Sequence, residues 1–216
     1  MQSFFDFVGK NLDNIAEFTL QHILLVYIPV ITATVVAVTL GSVFRHNKTI
    51  QNLNLGVASV LITIPSLALF SITIPIVGLG FWPPAIALFL YALLPVLRNT
   101  ATGLAEVDQA VLESAKGMGM ESRKRLFRIE LPLAWPVILA GVRVSFLMAM
   151  GIAAIAALVD GGGLGEFIKD GLARYPLQTS VERIWTGTIG IILLALITDW
   201  IIGLIGRRTT PEGIRA

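Results

Sequence analysis

The chain has 216 residues, of which 55% are hydrophobic and 14% charged, with no cysteine and a formal net charge of +2. A soluble domain carries about 25% charged residues, so this composition, with a mean hydropathy of +0.80, places most of the chain in a bilayer. The lack of cysteine excludes disulfide frameworks, thiolate catalysis and Cys-based metal sites, and so small a charge gives nucleic-acid binding no support.

Residues 1–18 set Phe4, Val8, Leu12, Ile15 and Phe18 at helical spacing, with Asp6, Lys10, Asp13 and Glu17 around the other side. That is the pattern of a short amphipathic helix lying in the membrane interface. It has neither a basic stretch leading into an apolar core nor a small-residue cleavage site, so it is not read as a removable signal peptide. Residues 19–210 read as a single transmembrane domain. Thr19 to Phe44 is free of formal charge and long enough for one crossing, at about 20–44, since about 20 apolar residues span the hydrocarbon. Pro29 is expected to kink it. His22, without a companion His or Cys cluster, reads as a packed or interfacial side chain rather than a ligand.

Thr49 to Leu97 also lacks any charge. As one helix it would run roughly 70 Å against a core of about 30 Å, so it is expected to cross twice, at about 52–76 and 83–100. The turn falls at Gly78-Leu-Gly80-Phe-Trp-Pro-Pro84. Pro65, Pro75 and Pro95 predict bent or unwound helices, tolerable where neighbours or a water-lined cavity satisfy the freed carbonyls. Two further crossings are expected at about 133–158 and 184–206, separated by Asp160-Gly-Gly-Gly-Leu-Gly165 and a polar stretch.

Basic residues set the orientation. Arg45, Lys48, Arg98, Arg143, Arg207, Arg208, Arg215 and the basic residues of the 106–132 loop fall on one side, against Lys10, Lys169, Arg174 and Arg183 on the other. The richer side is expected to be cytoplasmic. The expected fold is therefore an all-α integral membrane protein with five transmembrane helices, N-terminus outside and C-terminus cytoplasmic. Two charges remain within spans, Arg143 and Asp199. They either pair and line the inner mouth or snorkel separately to the headgroups.

The loop at 106–132 carries the densest charge. Val107, Ala110, Val111, Ser114, Ala115 and Met118 recur at helical spacing and form one small, apolar face. Gly117 and Gly119 follow where that helix should stop. Glu121 to Arg128 then reads as a basic helical piece, which Pro132 is expected to end.

Glu113-x-Ala115, three residues, Gly119, nine residues and Ile129-x-Leu131-Pro132 together resemble the EAA loop of permease subunits of binding-protein-dependent ABC importers. Ser114 stands where that family usually has Ala. The resemblance implies a type I ABC importer permease fold, in which Glu113, Ser114, Ala115, Gly117, Gly119, Ile129, Leu131 and Pro132 belong to a coupling helix and loop docked on a cytoplasmic ATPase. Thr63-Ile-Pro-Ser-Leu-Ala-Leu69, Leu88-Phe-Leu-Tyr-Ala-Leu-Leu-Pro95, Leu97-Arg-Asn-Thr100 and Gly117-Met-Gly-Met120 look like the osmoprotectant subfamily, which handles glycine betaine, carnitine and choline.

That resemblance implies alternating access in the bacterial inner membrane, with a second permease subunit, identical or related, an ATPase holding ATP and Mg, and an extracytoplasmic binding protein. This chain would be no enzyme and would bind no cofactor or metal itself. Thr63, Pro65, Ser66, Ser145 and Met148 are the candidate pathway residues. Gly161, Gly162, Gly163 and Gly165 fit no phosphate-binding loop; they read as a flexible external turn or, by the same resemblance, a close-packed segment near the outer gate. A methionine-type importer permease is the alternative within the class. An ion-coupled secondary transporter is the alternative outside it, disfavoured by the near absence of intramembrane carboxylates and of an inverted repeat.

Overall fold

The computed structural model describes residues 4–177 and 179–210; Arg215, counted above among the basic residues, lies outside them. Every regular element among the described residues is helical, as a lipid-embedded backbone without sheet closure requires. The chain begins with α1 (Phe4–Lys10) and α2 (Leu12–Val43), turns at Phe44–Asn47 into α3 (Lys48–Thr63), breaks, and continues as α4 (Ser66–Val77). Helix α5 (Trp82–Ala105) leads to a short α6 (Gln109–Gly117) and to α7 (Ser122–Arg125). A π-helical turn at Leu126–Glu130 joins α7 to α8 (Leu131–Ala153), which tightens into a 3₁₀ turn at Ala154–Val159 before α9 (Gly165–Ala173) and α10 (Ser180–Thr209).

By length and composition four of these stretches can cross a membrane: α2, α5, Ser122–Val159 and α10. The α3–α4 pair makes five if it counts as one span, bent by 97° at Ile64–Pro65. Pro65 removes a donor at the break, whereas Pro29, Pro75 and Pro95 lie inside α2, α4 and α5.

Two boundaries differ from the sequence reading. The expected division near residue 19 falls at Asn11, whose side-chain amide donates to the Phe7 carbonyl at 2.8 Å, and α2 runs unbroken for 32 residues. At 1.5 Å per residue it is about 48 Å long, enough to pass beyond the hydrocarbon. Helix α1 is also tied down: Phe7 is buried and meets Phe167 of α9 edge-on at 6.3 Å. Finally, Pro132 does not end the basic helix, because Leu131 N–H donates to the Leu126 carbonyl five residues back. The widened turn lets α7 run through into α8 with the proline in the first turn of α8, where its missing donor costs little.

Helix α5 is the central post, packed on α2 and α8 along its length and touched by α3 and α4. Small residues permit that closeness. A Cβ placed on Gly141 of α8 would lie 2.6 Å from the Pro95 carbonyl oxygen and 2.7 Å from Asn99 Cβ. On Gly41 of α2 it would lie 2.6 Å from Thr100 Cγ2. Ser145 of α8, fully buried, donates to the Ala92 carbonyl across the same seam at 3.0 Å.

Gly141→Ala should therefore push α8 off α5, at about 1–3 kcal/mol, the usual range for overpacking. Gly56→Ala is the control: it meets nothing within 4 Å and should be neutral or gain up to about 1 kcal/mol of helix propensity. Thermal melts of the two variants in one detergent compare them.

Candidate functional site

The end of α5 delivers the chain to α6, whose start is fixed by Asp108: its Oδ1 accepts from Ala110 N–H at 2.8 Å, a side-chain N-cap. At the other end Met120 N–H donates to the Ala115 carbonyl at 3.1 Å and Gly119 N–H to the Lys116 carbonyl at 2.9 Å. These paired bonds form a Schellman stop, which needs the left-handed φ of +75° at Gly119. Gly117 lies within α6 and does not share that role.

Only part of the small, apolar face turns inward. Val107 and Ala115 are buried, while Val111 and Met118 are exposed together with Ala110 and Ser114. Helix α6 has no extensive contact with any other helix. Its inner side instead stands over a cavity of about 510 Å³ lined by Glu113 and Lys116 of α6, by Arg45 and Lys48, and by Arg125 and Glu130. Ile129, Leu131 and Pro132 are half-buried in the π-turn-to-α8 connection.

Sequence reasoning missed the centre of this region. Glu130 occupies the unassigned position between Ile129 and Leu131, yet it is 3% exposed. Its Oε2 accepts from Arg45 Nε at 2.8 Å and its Oε1 from Arg125 Nε at 3.1 Å. The available signal was one carboxylate following four basic residues in a short stretch.

Arg143 and Asp199 pair in two-pronged fashion, Nε to Oδ1 and Nη2 to Oδ2, joining α8 to α10. Separate snorkelling is thus replaced by a pair, which is half exposed on the arginine side. Of the pathway candidates, Thr63 and Pro65 are exposed at the α3–α4 break with Ser66 half-buried beside them. Met148 packs at the edge of the small cluster of Leu69, Phe70, Ala87 and Tyr91. Ser145 faces no passage, since its hydroxyl is committed inside the α5–α8 seam. Tyr91, not anticipated, donates to the Ile64 carbonyl at 2.6 Å and so satisfies the break.

The glycine segment is close-packed, not a loose turn. A Cβ on Gly161 would lie 2.9 Å from the Ala156 carbonyl oxygen and from Pro84, and one on Gly165 would collide with the Ala154 carbonyl. Gly162 and Gly163 take φ of +74° and +86°, with Gly163 set against His22 and its N–H donating to Gln21 Oε1 at 3.0 Å. His22 is buried, its Nε2 3.3 Å from the Met150 carbonyl. Beside this segment Lys169 donates to the Ala157 carbonyl at 2.8 Å and pairs with Glu166 at 2.6 Å. Burial opposes its charge, but the hydrogen bond and charge of Glu166, with Asp160 and Asp170, hold the ammonium pKa above the usual lysine value. Among the described residues no group of three or more His, Cys, Asp or Glu could hold a metal.

A helical chain with several apolar spans and a capped, protruding helix between two of them has the form of a transport permease. The family model described as "Binding-protein-dependent transport system inner membrane component" matches residues 24–211, and the chain belongs to that family. It is 38% identical over 215 residues to the choline transport system permease protein OpuBB of Bacillus subtilis (strain 168), covering 100% of this chain and 97% of that protein. Over 215 residues it is 36% identical, with the same coverage, to the glycine betaine/carnitine/choline transport system permease protein OpuCB of the same organism. Among solved structures, a chain of the MetNI methionine ABC transporter in an inward-facing conformation superposes with a TM-score of 0.76. That match covers 91% of this chain and 96% of the other at 19% identity, a likeness of fold.

Two predictions follow from these pairs. Arg143→Ala and Asp199→Ala should each lower the thermal midpoint in detergent, and the double variant should lie above the sum of the singles, because a coupled pair is non-additive. For Lys169, a raised folded pKa means stabilisation that is complete below the unfolded value of about 10.4 and is lost as pH climbs through the folded value. Comparing melts of the protein and Lys169→Gln at rising pH should show their difference shrinking only above that range.

Proposed function

We propose that this chain is the membrane permease subunit of an ATP-driven importer for osmoprotectant quaternary amines, such as glycine betaine, carnitine or choline. The observation that carries this reading is full-length identity of 36% and 38% to permeases named for those substrates. The methionine transporter shares the fold at 19% identity, so the methionine-type alternative has the weaker support. The α6 loop lies on the cytoplasmic side by the positive-inside rule, and five spans with an external N-terminus result if α3–α4 is counted as one. ATP and Mg belong to a separate ATPase subunit, a binding protein delivers substrate outside, and a second permease subunit completes the pathway in the bacterial inner membrane.

Each element then has a task. The exposed strip of Ala110, Val111, Ser114 and Met118, with Glu113 beside it, is the surface offered to the ATPase. The Gly119 stop fixes where that surface ends. Small side chains at Ala110 and Ser114 let a partner backbone approach closely, and Ser114 turns its hydroxyl inward to the Ala110 carbonyl at 2.7 Å, so it behaves nearly as an alanine. The bent α3–α4 pair is the moving element of alternating access, with Thr63, Pro65, Ser66 and Met148 near the passage. Arg143 and Asp199 belong to the inner mouth, and the packed glycines at 161–165 to the outer gate.

Purification from membranes in mild detergent should recover an ATPase, and reconstituted vesicles should hydrolyse ATP faster when a betaine-loaded binding protein is present. Purification of the chain alone, or transport driven by an ion gradient without ATP, would overturn the reading. Within such a complex, Glu113→Ala and Gly119→Val should each depress substrate-stimulated hydrolysis, the second because a β-branched residue is strained at a φ of +75°. Unchanged stimulation in both would refute the docking assignment.

A further inference from the structure

The buried carboxylate of Glu130 lies at the point where the docking loop rejoins the spans. Around it two segments distant in sequence converge, the end of α2 and the α7-to-α8 connection. Arg45 follows the C-terminus of α2 and makes four bonds at once: Nε to Glu130 at 2.8 Å, Nη1 to the Ser42 carbonyl at 2.9 Å, and Nη2 to Ser122 Oγ at 2.9 Å and the Ser122 carbonyl at 3.4 Å. Ser122 is the first residue of α7, just past the Gly119 stop of α6. Arg125, on the last turn of α7, takes the other oxygen of the same carboxylate.

One acid thus bridges two guanidiniums, one on each oxygen, and links the end of α2, α7 and the root of α8. The π turn makes this possible. An inserted residue advances the helix phase by about 100°, and the wide turn Leu126–Glu130 both aims Glu130 at Arg45 and accommodates Pro132 behind it. Helix α6, by contrast, stands over the cavity that Arg45, Arg125 and Glu130 line and touches the spans only lightly. The loop therefore has a compliant part, α6, and a stiff part, the ionic junction.

We propose that Glu130 is a positioning residue for energy coupling: by clamping Arg45 and Arg125 it makes displacement of the docking loop reach α2 together with α8, instead of being absorbed in the cavity beneath α6. This rests on the importer reading above. Without the carboxylate, two neighbouring guanidiniums repel each other and α2 is released from the base of α8.

The test uses the whole importer, permease with its ATPase and binding protein, in vesicles, measuring substrate moved per ATP hydrolysed. Glu130→Gln keeps the shape and removes the charge; Arg45→Lys keeps a charge but cannot reach Ser42, Glu130 and Ser122 together. Each should lower the transport-to-hydrolysis ratio by about fivefold or more, the lower end of a coupling between sites, with the ATPase still co-purifying and hydrolysing ATP. Glu130→Asp should recover part of the ratio. A wild-type ratio in both variants overturns the proposal, as does a Glu130→Gln chain that fails to assemble while Arg45→Lys couples normally. Failure of assembly in the first with a lowered ratio in the second supports it. If the unaltered complex shows no binding-protein-stimulated hydrolysis, the importer reading itself has failed, an outcome distinct from any of these.

Discussion

Backbone closeness around α5 is the constraint on which the remaining structure depends. In a bilayer the lipid is as apolar as a leucine side chain, so helices gain little by hiding apolar surface from it and must gain by fitting together. Here the fit comes from small residues at successive depths: Gly41 against Thr100, Gly141 against Pro95 and Asn99, and Gly103 of α5 itself against Ala134 and Val137. The Ser145 bond to Ala92 adds a polar stitch in a place where an unpaired hydroxyl would be costly. With α2, α5 and α8 locked in this way, both ends of α5 are held in fixed relation. One end meets the glycine segment through Pro84 and Gly161 and through the Gly80 bond to the Val159 carbonyl at 3.0 Å; the other leads directly into α6.

Against that rigid trio, α3 and α4 are held differently. They touch α5 but bury few residues, and their 97° bend leaves backbone groups that no intrahelical partner can reach. Tyr91 supplies a donor to the Ile64 carbonyl, so the break is satisfied from the rigid side. A hinge with its polar groups paired to a fixed post can be stable in one arrangement and still exchange for another, whereas unpaired groups in lipid would forbid the break altogether. The division into a tight trio and a lightly held bent pair is what a two-state pathway needs.

The sequence makes some of this legible and hides the rest for physical reasons. Charge-free runs marked the spans because charge is costly in hydrocarbon, and the turn expected at Gly78 to Pro84 lies at Gly78–Phe81 between α4 and α5, with Trp82, Pro83 and Pro84 forming the first turn of α5. Gly119 was recognisable because only a residue tolerant of positive φ suits that stop. Amphipathic spacing over residues 1–18 suggested a separate helix, but nothing at residue 19 breaks a helix, and the actual break depends on a local Asn11 bond that spacing does not encode. Pro132 looked like a terminator because a π turn has no pattern of its own, and that turn is also what conceals Glu130. Ser145 looked like a polar lining residue; hydroxyls inside helical seams have the same sequence signature as hydroxyls facing water.

The two ionic groupings differ in a way that bears on what surrounds the chain. Around Glu130 every charge is nearly enclosed by the chain itself, with side-chain exposures of 4%, 11% and 15%, so that junction is complete in a single subunit. Arg143 and Asp199 retain 51% and 24%, although both stand on helices long enough to span. A half-exposed ion pair within a bilayer is tolerable where protein or water covers it, and expensive where acyl chains do. Such a pair is least costly where this side of α8 and α10 faces protein or water. The exposed apolar residues Val144 and Leu147 on α8 and Ile192, Leu196 and Trp200 on α10 make the neighbouring surface suited to helix packing. In the importer proposed above, a second permease subunit meeting the first across this polar patch, with water at its inner end, would supply both kinds of cover, which an isolated subunit in lipid would lack.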